Sequence, residues 1–219
     1  MAENKKPYEI DTSILEKKEI GIAVNGDIDT VRKAMIYYNG RKMKTEFGEK
    51  ELYKIKGGGW IENERNLSQS GECWIEEGAI VCGYARVTED AVIRNGAQVG
   101  DDATVSGKAV VEGKSIVGGY ARIRGHVESS KVDRSARVMD GAEVLGGSEV
   151  TNGATVFGTV EGSTIGGSST IYGEAKEGCV VCGKSSVVDG ASVVGPYVVS
   201  GCRVLGKIGK PADDEEADG

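Results

Sequence analysis

The chain has 219 residues, 34 of them glycine and only 5% of them aromatic, and a formal net charge of −7. This length allows one domain with an appendage, the acidic balance does not fit a nucleic-acid-binding surface, and no apolar run approaches the about eighteen residues of a transmembrane helix. Without a secretory signal or a lipidation motif, and with cysteines that show no close pairing, we expect a cytoplasmic protein, or a virion protein if a phage encodes it.

The first 58 residues lack any repeat, and we predict that they form a small α+β cap. Residues 20–24 read as a short strand. A helix over residues 29–38 would begin at a capping Asp or Thr. The alternative is a hairpin that pairs residues 34–38 with residues 42–45 across Asn39-Gly40. The sequence leaves both open.

The cap is followed by a joint and a lead-in. Leu52–Ile55 predicts a further strand, and Gly57–Gly59 predicts a flexible joint. Residues 59–72 form the lead-in to the main domain. An open first coil would expose unpaired strand edges, so the N-terminal segment is expected to cover that end.

From Cys73 to about Ile208 the chain repeats every six residues. Aliphatic residues recur without a miss at Ile75, Val81, Val87, Ile93, Val99, Val105, Val111, Val117 and Ile123. A small residue, usually Ala, stands two positions before each of them. Residues two apart on an extended chain point to the same side, so each unit predicts a short strand with two inward side chains and a Gly- and Asp-rich corner. Three units close one triangular coil.

The repeat continues after three phase slips. It resumes at Val132, at Ile165 and at Val181, and its last key position is Leu205. Counting every sixth residue gives 21 aliphatic key positions, and therefore about seven coils over residues 73–208. The fold class is thus all-β, a parallel β-helix, followed by a disordered acidic tail over residues 209–219.

Residues 57–75 resemble the lead-in of the YdcK-type hexapeptide-repeat acyltransferases of bacteria, which belong to the trimeric LpxA-like solenoids. The matching residues are Gly58, Gly59, Trp60, Leu67, Ser68, Gln69, Gly71, Cys73, Trp74 and Ile75. The resemblance implies a single-stranded, left-handed β-helix and a homotrimer. It also implies an acyltransferase activity, which for that family is inferred from the fold.

The residues that flank the inward aliphatic side chains are predicted to point outward on three faces. Counting the units in threes places the most apolar ones on one face, with interface residues Ile80, Ile116, Met139, Phe157, Val180 and Val198. Exposed apolar surface of this kind marks an interface, so we expect this face to build the homotrimer or to bind a protein partner.

The other two faces differ in character. One begins with Trp74 and Val92, and we expect the N-terminal segment to cover it. The other carries Arg86, Arg122 and Arg124. These arginines are either solvated or form an anion site.

His126 is the only histidine. Hexapeptide-repeat acyltransferases use a histidine near a coil corner as general base, and the resemblance implies that catalytic role for His126, with Glu128 as a candidate to orient the ring. The alternative is an ordinary exposed loop histidine. A single histidine excludes the related solenoid carbonic anhydrases, whose metal needs three, and we predict no metal site.

Two further motifs are predicted to be accidental. Cys179 and Cys182 form a CxxC pattern, but three positions along a strand send one thiol inward and the other outward. Gly178–Ser185 matches the P-loop pattern, but the next residues begin another repeat unit instead of the helix that phosphate binding requires.

Two functions remain open. The first is a non-enzymatic structural or interaction solenoid, a rigid trimeric spacer or docking module of the sort that phages and mobile elements encode, with no cofactor. The alternative is a hexapeptide-repeat acyltransferase that takes an acyl group from acyl-CoA to a hydroxyl or amine, with His126 as base. We expect neither a nucleic-acid nor a membrane partner.

Overall fold

The computed structural model describes residues 40–55, 57–68 and 71–209. They form an antiparallel hairpin followed by a parallel β-solenoid, and the only helix among them is the 3₁₀ turn Glu64–Asn66. The predicted all-β fold with a parallel β-helix is confirmed. Its left-handed winding stays a prediction. No helix in the described part of the chain is long and apolar enough to span a membrane.

The solenoid has three parallel sheets, one for each side of the coil. Sheet 1 contains Trp60–Ile61, Ile80–Val81, Gln98–Val99, Ile116–Val117, Lys131–Val132, Glu149–Val150, Thr164–Ile165, Val180–Cys182 and Val198–Ser200. Sheet 2 contains Trp74–Ile75, Val92–Ile93, Val110–Glu112, His126–Glu128, Glu143–Leu145, Thr159–Glu161, Glu174–Lys176, Ser192–Val194 and Lys207–Ile208. Sheet 3 contains Arg86–Val87, Thr104–Val105, Arg122–Ile123, Arg137–Val138, Thr155–Val156, Thr170–Ile171, Ser186–Val187 and Arg203–Val204.

The core is the inside of this triangular tube. The predicted key positions from Ile75 to Val193 are at most 1% exposed, and so are the alanines that precede most of them. Each strand contributes one aliphatic side chain, and the small residue two positions earlier sits inside the corner. Large rings have no place in so narrow a core, and the buried aliphatic side chains of successive coils stack upon one another.

The structure has about nine turns instead of the seven predicted. Part of the difference lies in the phase slips, each of which contains a complete side of the coil. Val127, Val160 and Ala175 are buried key residues of these sides. The last turn also differs, because Val204 is buried at 4% exposure whereas the predicted key residue Leu205 is 72% exposed.

The rest of the difference lies in the lead-in, which is the first turn. Trp60–Ile61 pairs with Ile80–Val81, and Leu67 forms a parallel bridge with Val87. The predicted flexible joint is instead tightly packed at Gly58 and Gly59. A Cβ on Gly58 would lie 2.7 Å from the carbonyl oxygen of Ile75.

A hairpin of β1 (Arg41–Thr45) and β2 (Gly48–Lys54) extends sheet 1 antiparallel to Trp60–Ile61. It confirms the strand predicted at Leu52–Ile55. Lys42–Thr45 pairs with β2, which follows it in the chain, through the turn Glu46-Phe47, whereas the alternative hairpin predicts pairing with the preceding residues 34–38. The predicted helix over residues 29–38 and the first arm of the alternative hairpin lie outside the described residues, as do residues 210–219 of the predicted tail.

The hairpin folds over sheet 1. The N-terminal segment is expected to cover the face of Trp74, and residues 1–39 of that segment lie outside the described residues. Leu52 packs with Ile80 and Cys82. The exposed fractions of Leu52, Ile80 and Cys82 are 0%, 6% and 0%, respectively. The ring of Phe47 occupies the space where Gly100 would otherwise carry a side chain. The hairpin therefore seals the N-terminal part of sheet 1.

The predicted apolar interface does not form one face. Ile80, Ile116, Val180 and Val198 lie on sheet 1, whereas Met139 and Phe157 directly follow strands of sheet 3. The reason is that each phase slip contains one strand that the count of six did not include. Every later strand is therefore assigned to the neighbouring face. Ile80 is also covered by the hairpin, while Val198 at the other end is 71% exposed.

Candidate functional site

The corners between sheet 3 and sheet 2 have two lengths. Four residues connect Thr104–Val105 to Val110–Glu112, but only Arg124-Gly125 connects Arg122–Ile123 to His126–Glu128. The short corner requires glycine, because a Cβ on Gly125 would run into the carbonyl oxygen of Ala142 in the next turn.

The short corner leaves an indentation between its longer neighbours. This cleft holds about 580 Å³ and is lined by charged residues that include Glu89, Lys108, Arg124, His126, Asp140 and Glu143. Arg124 donates a hydrogen bond of 3.1 Å to Asp140 across it. A second cleft, beside Tyr172 and Lys207, forms at the short corner of Gly173, because this corner is also two residues long.

His126 is positioned by the preceding turn. Its partner in the parallel register is Val110, so Glu112 of the preceding turn lies opposite Glu128 on the same outward face. Nε2 of His126 lies 3.0 Å from Oε1 of Glu112, and the two side chains are 32% and 15% exposed. The imidazole is thus held from one side by a half-buried carboxylate.

Arg94 completes the network from the turn that precedes the turn of Glu112. Its Nε donates to Oε2 of Glu112 at 2.8 Å and its Nη2 to Oε1 at 3.2 Å, and the amide of Asn95 donates to Oε2 at 3.0 Å. The hydrogen bond from Arg94 lowers the pKa of Glu112, the hydrogen bond from His126 adds to this, and partial burial opposes it. Glu112 is therefore a charged acceptor that orients both neighbours.

The network offers two kinds of chemistry. An imidazole fixed by a carboxylate is a competent general base when its other nitrogen meets a substrate proton. Ligand atoms of Glu112, His126 and Glu128 also lie within 4.8 Å of one another, a spacing that a metal ion would require. However, Arg94 already supplies the counter-charge for Glu112.

The site was only partly predictable. The sequence pattern identifies His126, but it favours Glu128 as the orienting carboxylate, whereas the hydrogen bond comes from Glu112. The signal for Glu112 is the coil length: this turn has sixteen residues, from Val110 to its register partner His126, instead of the eighteen of a regular turn.

The remaining candidates are dispersed. Arg86 and Arg122 are exposed on sheet 3, while Arg124 is paired with Asp140. All five cysteines are free; Cys179 is buried and Cys182 lies at the surface, as their strand positions predict. The P-loop-like segment is followed by the strand Ser186–Val187, so no helix N-terminus is present there.

In comparisons with known proteins, no protein-family model matches this chain, and no curated protein matches it significantly. The resemblance to the YdcK-type acyltransferases therefore depends on the lead-in motif and the hexapeptide repeat alone.

We expect Glu112→Gln to make the protein less stable at neutral pH but not at acid pH. The pKa of Glu112 is lowered by folding, so its contribution is fully present above its ordinary value of 4.5 and is lost as the pH falls through the lower folded value. The free energy of unfolding should drop by about 1 kcal/mol at pH 7, and the difference from wild type should shrink as the pH falls below 4.5. Glu143→Gln, exposed on the same sheet, is the control. Urea titrations whose wild-type and variant curves stay parallel down to pH 3 would contradict this role.

Proposed function

We propose that the protein is a non-enzymatic, rigid solenoid that acts as a spacer or docking module. The observation that carries the proposal is the uninterrupted ladder. From Trp74 to Ile208 every strand pairs in parallel with the next turn, and the corners between strands have two to four residues. A rod of this kind holds surfaces at fixed separations, because each turn contacts only its neighbours through complete ladders.

The same ladder disfavours catalysis. Enzymes that transfer acyl groups enclose their reactants, since water competes for the reactive carbonyl. Within residues 40–55, 57–68 and 71–209 no long loop covers the cleft beside His126. The imidazole is also engaged by Glu112, which Arg94 and Asn95 hold in place. These features are those of a structural ion-pair network.

We further propose that the module is a homotrimer that binds a protein partner, as the resemblance and the exposed apolar residues imply. Ile80 is removed from the predicted interface, because the hairpin buries it. Ile116, Val180 and Val198 remain candidates on sheet 1, and Met139 and Phe157 remain candidates on sheet 3.

The second candidate function is acyl transfer from acyl-CoA with His126 as general base. It is supported by the placement of His126 at the rim of a charged cleft, with a carboxylate behind its ring. Arg124 and Lys108 line the same cleft and offer cations to a phosphate-bearing donor.

Calorimetric titration with acetyl-CoA separates the two functions. For a structural module we expect no saturable heat at millimolar ligand, and identical traces for wild type and His126→Ala. Saturable binding that Arg124→Ala weakens would overturn the proposal. If His126→Ala then still bound acetyl-CoA but did not transfer the acetyl group, His126 would be assigned as the base.

A further inference from the structure

Sheet 3 carries a charge pattern unlike that of the chain as a whole. Its outward strand positions form one column of Arg86, Thr104, Arg122, Arg137, Thr155, Thr170, Ser186 and Arg203. A second column, next to the sheet 2 corner, consists of Thr88, Ser106, Arg124, Met139, Phe157, Tyr172, Val188 and Leu205. Neither column contains an Asp or Glu, although the chain carries 34 acidic residues and a net charge of −7.

The second column is apolar over its last five turns. Met139 and Val188 are half-buried, whereas Phe157, Tyr172 and Leu205 are 40%, 46% and 72% exposed. At about 4.8 Å per turn these side chains form a ridge roughly 19 Å long. Exposed apolar surface with this continuity is typical of an interaction site.

The first column is rich in arginine. Arg86, Arg122, Arg137 and Arg203 are exposed and form no ion pair with any residue that the structure describes. Arg122 and Arg137 are direct register partners in adjacent turns. Like charges directly opposite each other destabilise a sheet, so an anionic group from outside the chain would relieve the repulsion.

The aromatic rings determine what kind of anionic partner fits. Phe157 and Tyr172 stack on each other with centroids 4.7 Å apart and planes 10° from parallel. Met139 and Val188 hold the same column position in the flanking turns. Each ring therefore covers one face of the other, and the remaining face of each ring is directed toward Met139 or Val188 in the flanking turn. Nucleic-acid bases and sugars stack on open faces, whereas apolar side chains of a polypeptide pack against edges.

We propose that sheet 3 is a docking surface for a polypeptide segment of a partner protein that carries acidic side chains beside apolar ones. Its acidic groups pair with Arg122 and Arg137, and its apolar groups pack on the ridge of Met139, Phe157 and Tyr172. Arg, Met and aromatic residues are the types enriched at protein interfaces. The tail of the chain itself, PADDEEADG, does not fit, because it contains no large apolar residue. This inference rests on the proposed function as a docking module.

The test uses short fluorescein-labelled peptides and fluorescence anisotropy with the full chain. A peptide of alternating Glu and Leu should bind saturably, whereas peptides of alternating Lys and Leu or Glu and Ser should not. Arg137→Glu should weaken binding at least about tenfold, and so should Phe157→Ser. Lys131→Glu makes the same charge change on sheet 1 in the adjoining part of the coil, and it should leave the affinity unchanged.

Three results would overturn the docking surface. The first is equal weakening by Lys131→Glu and Arg137→Glu, which would reduce the effect to net charge. The second is equal affinity for the Glu-Ser peptide, which would remove the ridge from the interaction. The third is tighter binding of a single-stranded oligonucleotide or a sulfated polysaccharide that Phe157→Ser abolishes. The acetyl-CoA titration reports on the proposed function independently of all three.

Discussion

Gly173→Ala should destabilise the solenoid by about 2 to 3 kcal/mol, although the change adds one methyl group. Gly173 forms the short corner that connects sheet 3 to sheet 2. A Cβ there would run into the carbonyl oxygen of Ala191 and lie 2.6 Å from that of Val188, both in the next turn. Both oxygens belong to the backbone, so relief requires the two turns to move apart.

Thermal unfolding followed by circular dichroism measures the effect, and the midpoint should fall by about 5 to 10 °C. Gly153→Ala is the matched control, because a Cβ at Gly153 would lie 3.5 Å from the nearest atom, an ordinary contact. Its midpoint should stay within about 2 °C of wild type. Equal midpoints for Gly173→Ala and Gly153→Ala would show that the close approach of the turns has no energetic consequence.

The parallel solenoid could be predicted from sequence because its core has a simple period. One inward aliphatic and one inward small residue every six positions satisfy the geometry of a short strand and a corner, and no helix produces that spacing. The inward residues from Ile75 to Val193 are buried as the pattern predicts. Val204, in place of Leu205, marks where the pattern weakens at the last turn.

The number of turns could not be predicted in the same way, because corner length depends on contacts between turns. The corners that contain Gly125, Gly158 and Gly173 have two residues instead of four. Each of them requires glycine, because the backbone of the next turn lies where a side chain would be. A count in sixes then skips the sides that contain Val127, Val160 and Ala175. The same omission moves Met139 and Phe157 to the wrong face.

The surroundings of His126 and of Ile80 depend on packing between distant segments. Glu112 reaches His126 across a turn of sixteen residues, two fewer than a regular turn. Ile80 is buried by Leu52 of the hairpin, a segment outside the repeat. A pattern confined to the repeat contains neither contact, so the sequence supplies candidate residues there but not their partners.

The hairpin that buries Ile80 should be separable from the solenoid, and Cys82 reports on it. Leu52→Asp places a carboxylate in the apolar cluster of Ile80 and Cys82, and burying a charged group in such surroundings costs several kcal/mol. We expect the hairpin to detach while the solenoid stays folded. Burial raises the pKa of the Cys82 thiol to about 11, so exposure that restores 9.0 increases the thiolate fraction near pH 8 about a hundredfold.

The measurement is the rate of thiol labelling in a chain that carries Cys182→Ser and Cys202→Ser. In the Leu52→Asp variant Cys82 should react at least about a hundredfold faster than in the parent chain, whereas Cys73 and Cys179 in the solenoid core should stay protected. Glu51→Asp places an aspartate at the neighbouring exposed position and should change nothing. Equal labelling of all three cysteines would mean that the hairpin is part of the cooperative unit, because its loss would then unfold the solenoid itself.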